Sequence, residues 1–200
     1  MDHQAVVRSR RMVRAFESSP LDSAVVDRIL DAARRAPSAG NTHGLDLVVL
    51  SGREQVDRYW DTTLHSERRA DFPWPKLLDA PVIVLVVVDP AAYVDRYSQP
   101  DKATSGLGES ADDWPVPFWF VDGGAAIMAL LYAAVDEGLG ALLFGLFEHE
   151  AAVGRRFAIP DGRRVVGAVA LGEPAGDDRP SRSAERGRPS LPEIVHRGAW

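Results

Sequence analysis

Hydrophobic and polar positions in the first third of the chain follow a helical period. Residues 22–36 carry apolar side chains every three or four positions, which predicts an amphipathic helix with one buried stripe. The stripe consists of Val25, Val26, Ile29, Leu30 and Ala33. Asp22 is the predicted N-cap, and Pro37 ends the helix because proline cannot continue it. Residues 3–8 predict a short helix and residues 53–64 a longer one.

Apolar runs rich in β-branched residues predict the strands. Residues 81–89, PVIVLVVVD, form a continuous run typical of strands that are buried on both faces. Residues 45–50 predict another strand, residues 138–147 a glycine-interrupted strand, and residues 164–171 the last strand of the core. A shorter strand-like run spans residues 13–16. The other predicted elements are a proline-containing loop over 71–81, a helix over 148–157 and a turn over 160–162.

Residues 121–138 predict the longest helix, which carries apolar side chains on almost every side. Such a helix must be buried on more than one face. A chain of 200 residues has a limited interior, so a second subunit is one expected cover and a central position in a monomer is the alternative. The most apolar part, residues 123–134, is shorter than a helix that spans a bilayer.

Residues 90–120 are the least regular part of the chain, with aromatic residues among prolines, glycines and charges. A long irregular segment in a compact protein is usually functional or disordered. The aromatics either stack on a planar ligand or fix the segment to the body. From residue 175 the chain is polar and proline-rich, which predicts an extended tail whose final Trp200 docks on a surface. We therefore expect one domain over residues 1–200, with 90–120 as an excursion or lid and 175–200 as the tail.

Composition narrows the choice of function. A net charge of −6 argues against a nucleic-acid surface, so a local cluster of arginines favours a small anionic ligand. The chain has no cysteine, which excludes disulfides, thiolate nucleophiles and cysteine-held metal sites. The five histidines are scattered, and no metal site is expected. The first residues have no apolar core long enough for a signal peptide, so we expect a cytoplasmic protein.

Two segments carry the candidate chemistry. Four arginines lie within residues 8–14, and guanidinium groups suit phosphate because their N–H donors meet its oxygens in pairs. One helix later, the loop over residues 36–44, APSAGNTHG, has small residues that let backbone amides approach a flat ligand. Asn41 and His43 add hydrogen-bonding side chains to this loop. Together the segments predict a site for a phosphorylated planar cofactor; a solvated basic turn is the alternative for the arginines.

The order R-R-x-x-R-x-F, a helix, then A-P-S-x-x-N-x-[Q/H] resembles the FMN-dependent nitroreductase family, and the resemblance continues through the glycine-rich C-terminal half. It implies an α+β fold with a mixed, mainly antiparallel sheet wrapped by helices, in an intertwined homodimer with two flavin sites at the interface. It also implies an FMN-dependent oxidoreductase with ping-pong hydride transfer from NADH or NADPH, through FMN, to a small acceptor such as a nitroaromatic or quinone. No side chain is assigned a catalytic role, because the hydride moves at flavin N5.

The resemblance assigns residues to each part of the flavin site. The phosphate contacts are Arg10, Arg11, Met12 and Arg14, with Arg186 and Arg188 from the tail. The residues for the ring, which reach it from the partner subunit, are Pro37, Ser38, Ala39, Asn41 and His43. The backbone that faces N5 belongs to Phe144 and Gly145. The acceptor pocket is shaped by Tyr97, Trp114 and Trp119.

The sequence departs from the family pattern at two places. Met12 stands where members usually carry a small hydroxyl residue, and His43-Gly44-Leu45 replaces a common Gln-Pro-Trp. His43 could bind the flavin or the substrate, donate a proton, or be a spectator. The departures motivate alternatives: a specialised flavin-linked or deazaflavin-linked oxidase or dehydrogenase, a non-catalytic flavin-binding protein, or a flavin-free scaffold. No G-x-S-x-G, Walker or G-x-G-x-x-G motif indicates another enzyme class.

Overall fold

A four-stranded antiparallel sheet lies at the centre of the computed structural model, which describes residues 1–200. The strands are β1 Leu45–Ser51, β2 Val82–Val88, β3 Gly140–Phe144 and β4 Arg164–Gly172. The helices are α1 His3–Ser9, α2 Ser23–Arg34, α3 Arg53–Thr63, α4 Ser66–Arg69, α5 Pro90–Tyr97, α6 Phe118–Asp136, α7 Glu150–Arg156 and α8 Leu191–Ile194. The strand order is β1-β2-β4-β3, and every neighbouring pair is antiparallel. This architecture confirms the predicted α+β fold.

The unbroken apolar run of residues 82–88 forms β2, a central strand of the sheet. All seven of its residues are buried. Because side chains alternate across a strand, Val82, Val84 and Val86 enter one core cluster. Ile83, Leu85 and Val87 enter the other cluster, on the opposite face. A strand covered by helices on both faces has no polar position, as the sequence predicted.

Four helices provide most of this cover. On one face, α2 and α6 pack together and contribute residues such as Ile29 and Leu130 to the core. On the other face, α3 contributes Tyr59 and Trp60, and α7 contributes Val153. The predicted N-cap of α2 is confirmed, because the Asp22 side chain accepts a hydrogen bond from the Ala24 amide at 2.9 Å.

Helix α6 is longer than residues 123–134, the most apolar part of the predicted helix. It begins at Phe118 and runs for 19 residues, of which an 18-residue stretch has a mean hydropathy of 1.7, so by length and composition it is long and apolar enough to cross a membrane. The helix predicted over residues 121–138 is present, but it begins three residues earlier, because the aromatic residues before Val121 form its first turn, and it ends at Asp136. One side of α6 packs on α2 and the sheet. Its other side leaves Phe118 and Val121 exposed, at 41% and 51%.

Two further predictions differ from the structure. The run over residues 13–16 is not a strand, because its neighbourhood makes only isolated bridges: Met12 with Ala141 in parallel and Phe16 with Pro174 in antiparallel orientation. Helix α5 lies within the segment predicted as irregular. Its signals are Asp89, whose carboxylate accepts from the Ala91 amide at 3.1 Å, and Pro90 in its first turn.

The C-terminal residues leave the sheet beside the N-terminal segment. The Ala175 amide donates to the Ala15 carbonyl at 2.9 Å, and Ala175 is buried. Beyond residue 181 nearly every residue is exposed, including the apolar Leu191 and Ile194 of α8. Trp200 is fully exposed and stacks only on His196, with ring centroids 4.3 Å apart. Within a single chain, therefore, the apolar side chains beyond residue 181 stay exposed, and Trp200 does not dock on the body of the protein as the sequence predicted.

Candidate functional site

The loop over residues 36–44 has an unusual backbone. Gly40, Asn41 and His43 all have positive φ angles, of 62°, 56° and 56°. A residue with a side chain adopts this left-handed region rarely, and such residues often cluster at functional sites. The loop therefore needs support from its surroundings to keep this conformation.

Helix α5 supplies one part of that support. The Tyr97 ring lies against Gly40, where a Cβ atom would approach the ring to 2.7 Å. The Arg96 side chain donates from Nε to the Gly40 carbonyl at 2.8 Å. The Tyr93 ring lies equally close to Gly44, so a larger residue at position 44 would collide with it. Positions 93, 96 and 97 share one helix face, so a single face of α5 shapes the loop.

Asp122, near the start of α6, supplies the other part. Its Oδ2 accepts from the Ala39 amide at 2.8 Å and from the Tyr93 hydroxyl at 2.7 Å. Burial raises the pKa of Tyr93 above its ordinary value, and the neighbouring Asp122 carboxylate raises it further. The phenol therefore stays protonated and donates to Asp122. The sequence reasoning missed this residue, although an acidic residue in the first turns of an apolar helix was a signal for it.

The polar side chains of Asn41 and His43, which were proposed for the ring, are exposed. Asn41 and His43 are solvent-accessible, and neither side chain makes a hydrogen bond within the chain. Ser38 is partly used, because its Oγ accepts from the His43 amide at 3.0 Å. A cavity of about 690 Å³ lies between this loop, the end of α2 and the start of β1. Its charged lining residues are Asp27, Asp31, Arg34, Asp46 and Asp122.

Three of the four arginines in residues 8–14, those predicted to bind phosphate, have different surroundings. The Arg11 guanidinium pairs with the carboxylate of Asp178. The Arg14 guanidinium donates to the Met12 carbonyl at 3.1 Å and lies 5.3 Å from the centre of the Trp74 ring. Arg10 has no ion pair, and its buried Nη1 has no hydrogen-bond partner. Arg10 is thus the arginine of this segment whose buried donor an anion would satisfy.

The Met12 side chain packs on the hydrophobic core and provides no polar group for a ligand. It is half-buried and packs against both core clusters, at the outer edge of β3. The hydroxyl expected in the family pattern is replaced here by apolar contact. The carbonyl oxygen of Met12 still contributes, because it holds the Arg14 guanidinium.

The end of β3 places an aromatic stack beside an open backbone. Phe144 stacks on Trp60 with ring centroids 5.6 Å apart and planes 10° apart. Gly145 follows and is exposed. Phe147, with a φ angle of 48°, is 85% exposed. The backbone at Gly145 is therefore accessible to a ligand.

The aromatics of residues 90–120 form one cluster around Tyr93. Trp114 and Trp119 are buried in it, and the Trp114 indole donates to the Leu107 carbonyl at 3.0 Å. These contacts fix the segment to the body of the protein. Tyr97 and Trp114 also line an apolar pocket of about 250 Å³ together with Ala39 of the loop. Trp119 does not line that pocket.

A single chain does not bring the predicted flavin contacts together. The loop over residues 36–44 leads into β1, whereas Met12 bridges the outer edge of β3. These strands are the two opposite edges of the sheet, three strand spacings or about 14 Å apart. Arg186 and Arg188 are exposed in the tail and have no polar partner in the chain.

Comparisons with known proteins agree with the fold. A family model described as the nitroreductase family matches residues 7–173. A 4-nitrobenzoate reductase from Nocardioides sp. is 28% identical over 194 residues, which cover 84% of this chain and 78% of that protein. An NADH dehydrogenase from Thermus thermophilus is 24% identical over 199 residues, covering 90% of this chain and 91% of that protein.

Solved structures match over nearly the whole chain. NfrA1 of B. megaterium has a TM-score of 0.77 at 16% identity and covers 100% of this chain and 75% of its own. A nitroreductase-like protein from Streptococcus mutans has a TM-score of 0.76 at 17% identity, with 98% and 97% covered. A protein from Desulfovibrio desulfuricans, solved in complex with FMN, has a TM-score of 0.70 at 22% identity, with 100% and 98% covered.

Proposed function

Because the chain belongs to the nitroreductase family, we propose that it is an FMN-dependent oxidoreductase that transfers hydride from NADH or NADPH, through the flavin, to a small electron-poor acceptor. Membership of the family supports an oxidoreductase. The name of the Nocardioides relative favours a nitroaromatic acceptor, and that of the Thermus relative favours NADH as donor. The FMN in the Desulfovibrio structure favours the cofactor.

Arg10 is the main structural support for this cofactor. Its buried Nη1 lacks an acceptor, which costs about 1–3 kcal/mol and which a phosphate oxygen would relieve. Arg14 lies on the same segment as Arg10, and Arg186 and Arg188 of the tail are exposed and could also donate to the phosphate. The donor set thus suits a phosphate monoester. FMN, when bound, would supply the two-electron chemistry.

The remaining contacts are proposed from the exposed groups. Ser38, Ala39, Asn41 and His43 of the loop, with Pro37 before them, would hold the ring, and the backbone at Phe144 and Gly145 would face N5. Tyr97 and Trp114 would line the acceptor pocket, because they already surround an apolar space beside the loop. Trp119 would support them from behind.

We also propose a homodimer with flavin sites at its interface. The loop and the arginine segment lie at opposite edges of one sheet, so one site needs the loop of one subunit and the arginines of another. The uncovered apolar side of α6 and the apolar residues of the tail are surfaces that a second subunit would bury. We propose that residues 1–200 form one domain, with residues 90–120 as the wall of the acceptor pocket, and that the protein is cytoplasmic.

The test is a visible absorption spectrum of the purified protein across its size-exclusion peak. We expect oxidised flavin bands at about one per chain on a dimer-sized peak, and anaerobic bleaching by NADH or NADPH. A dimer that stays colourless after incubation with FMN would overturn the proposal. Bound flavin that neither nicotinamide reduces would favour the specialised oxidase or dehydrogenase, or the non-catalytic flavin-binding protein.

A further inference from the structure

Asp178 is the most completely satisfied carboxylate near the arginine segment. Only 1% of its side chain is exposed. Its Oδ1 accepts from the amides of Arg14 and Ala15 at 2.7 and 2.9 Å, and its Oδ2 accepts from the Arg11 guanidinium. Three donors therefore compensate one buried negative charge.

These contacts join the start of the tail to the N-terminal segment. Asp178 follows β4, and its amide donates to the Ala175 carbonyl at 3.0 Å. Glu17 and Ala175 add backbone hydrogen bonds between the same two segments, to the carbonyls of Glu173 and Ala15, both at 2.9 Å. The Asp178 carboxylate is the only side chain that holds the backbone of Arg14 and Ala15.

Because the Arg11 guanidinium pairs with Asp178, it is not free to bind another anion. Releasing it would leave the buried Asp178 carboxylate without its cationic partner and with only the two amide donors, so the ion pair is favoured although the Arg11 side chain is half-exposed. Arg10, one residue earlier, keeps a buried donor without a partner. The two adjacent arginines thus have different electrostatic environments, although the sequence analysis assigned both of them to the phosphate.

We propose that Asp178, with Arg11, is a positioning pair for the cofactor site: it fixes the backbone that presents Arg10 and Arg14 to the phosphate and ties the tail to that backbone. Arg11 acts through Asp178 and does not contact the phosphate. This inference rests on the proposed FMN function, but the contact itself exists without the cofactor.

The contact is tested first without flavin, by amide hydrogen exchange of the full-length protein. We expect Asp178→Ala to speed exchange of the Arg14 and Ala15 amides at least about tenfold, because both lose their acceptor. The control is Asp177→Ala, since the neighbouring Asp177 makes an exposed ion pair with Lys76 at 2.7 Å. Unchanged protection of both amides in Asp178→Ala would overturn the tether.

The coupling to the cofactor is tested by FMN titration of Arg11→Met, Asp178→Asn and the double variant. We expect each single variant to lower the affinity for FMN several-fold. The double variant should lose no more affinity than the more affected single variant, because both substitutions remove the same contact. Arg11→Lys should restore affinity to near the parent value, since it keeps the ion pair. Asp177→Asn should bind FMN as the parent does.

Two results would overturn this role. The first is a further loss of 10-fold or more when Arg11→Met is added to Asp178→Asn, because that is the loss expected if Arg11 contacts the phosphate directly. Asp178→Asn that binds FMN as tightly as the parent would also contradict it. If Asp178→Asn fails to fold, Arg11→Met and Arg11→Lys still decide, because Arg11 is half-exposed. A parent protein that binds no FMN refutes the proposed function. The hydrogen-exchange experiment still tests the contact of Asp178 with the Arg14 and Ala15 amides, because it needs no FMN.

Discussion

Adjacent arginines in this protein show that charge alone does not define an anion site. Arg11 is neutralised by a buried carboxylate, Arg14 rests on a carbonyl and an aromatic ring, and Arg10 has an unpaired buried donor. An anion gains most where a donor is already desolvated and unpaired, because no existing hydrogen bond is lost. At the residue scale, the phosphate affinity should therefore depend most on Arg10.

Arg10→Ala should weaken FMN binding about 10- to 150-fold, the equivalent of losing one charge-assisted hydrogen bond of about 1.5–3 kcal/mol. Arg8→Ala is the matched control, because Arg8 is exposed and bonds only to Gln4 on its own helix. Fluorescence quenching of FMN during titration measures both. Equal losses in the two variants would show that only the net charge of the segment matters.

At the element scale, helix α5 and the start of α6 determine the shape of the loop over residues 36–44, which we propose holds the flavin ring. Tyr93, Arg96 and Tyr97 approach it from one helix, and Asp122 binds both the loop backbone and Tyr93. Left-handed residues with side chains cost free energy, so the loop keeps its form only while these contacts hold. Two elements outside the loop thus preorganise it.

Asp122→Ala should lower the free energy of unfolding by about 1–3 kcal/mol, because the Tyr93 hydroxyl and the Ala39 amide both lose their acceptor. Asp136→Ala is the control at the exposed end of the same helix, where an ion pair with the N-terminus is expected to contribute about 0–1 kcal/mol. Urea unfolding measures both variants. A similar loss in each would remove the special role of Asp122.

At the scale of the whole molecule, the sheet separates the two halves of the proposed site. A flavin that needs both the loop and the arginines is bound only if two chains meet. The uncovered side of α6, with Phe118 and Val121, is an apolar surface that such an interface would bury. Cofactor content and dimerisation should therefore change together.

Val121→Glu should convert the dimer to a monomer and remove bound flavin, because it introduces a charge into the proposed interface. Ala91→Glu is the control, since Ala91 is exposed on α5 and lies outside that surface. Light scattering on the size-exclusion peak, with the visible spectrum, measures both properties. A flavin-loaded monomer of Val121→Glu would contradict the shared site.

Local sequence patterns determined most of the fold. The helical period of α2, its Asp22 cap and the continuous apolar run of β2 each depend on near neighbours in the chain, so they could be predicted without the structure. The cap of α5 was equally local, at Asp89-Pro90, but the surrounding aromatics and prolines concealed it. The residue types of the arginine segment and the 36–44 loop were also visible in the sequence.

Only the tertiary structure decided how those residues are used. Asp178 lies more than 160 positions from Arg14 and Ala15, and Asp122 lies 83 positions from Ala39, so no local pattern joins them. The pairing of Arg11, the unpaired donor of Arg10 and the separation of loop and arginines across the sheet arise from that long-range packing. The sequence alone determined the elements and the chemical groups, because both are local; their partners depend on which distant segments the folded sheet brings together.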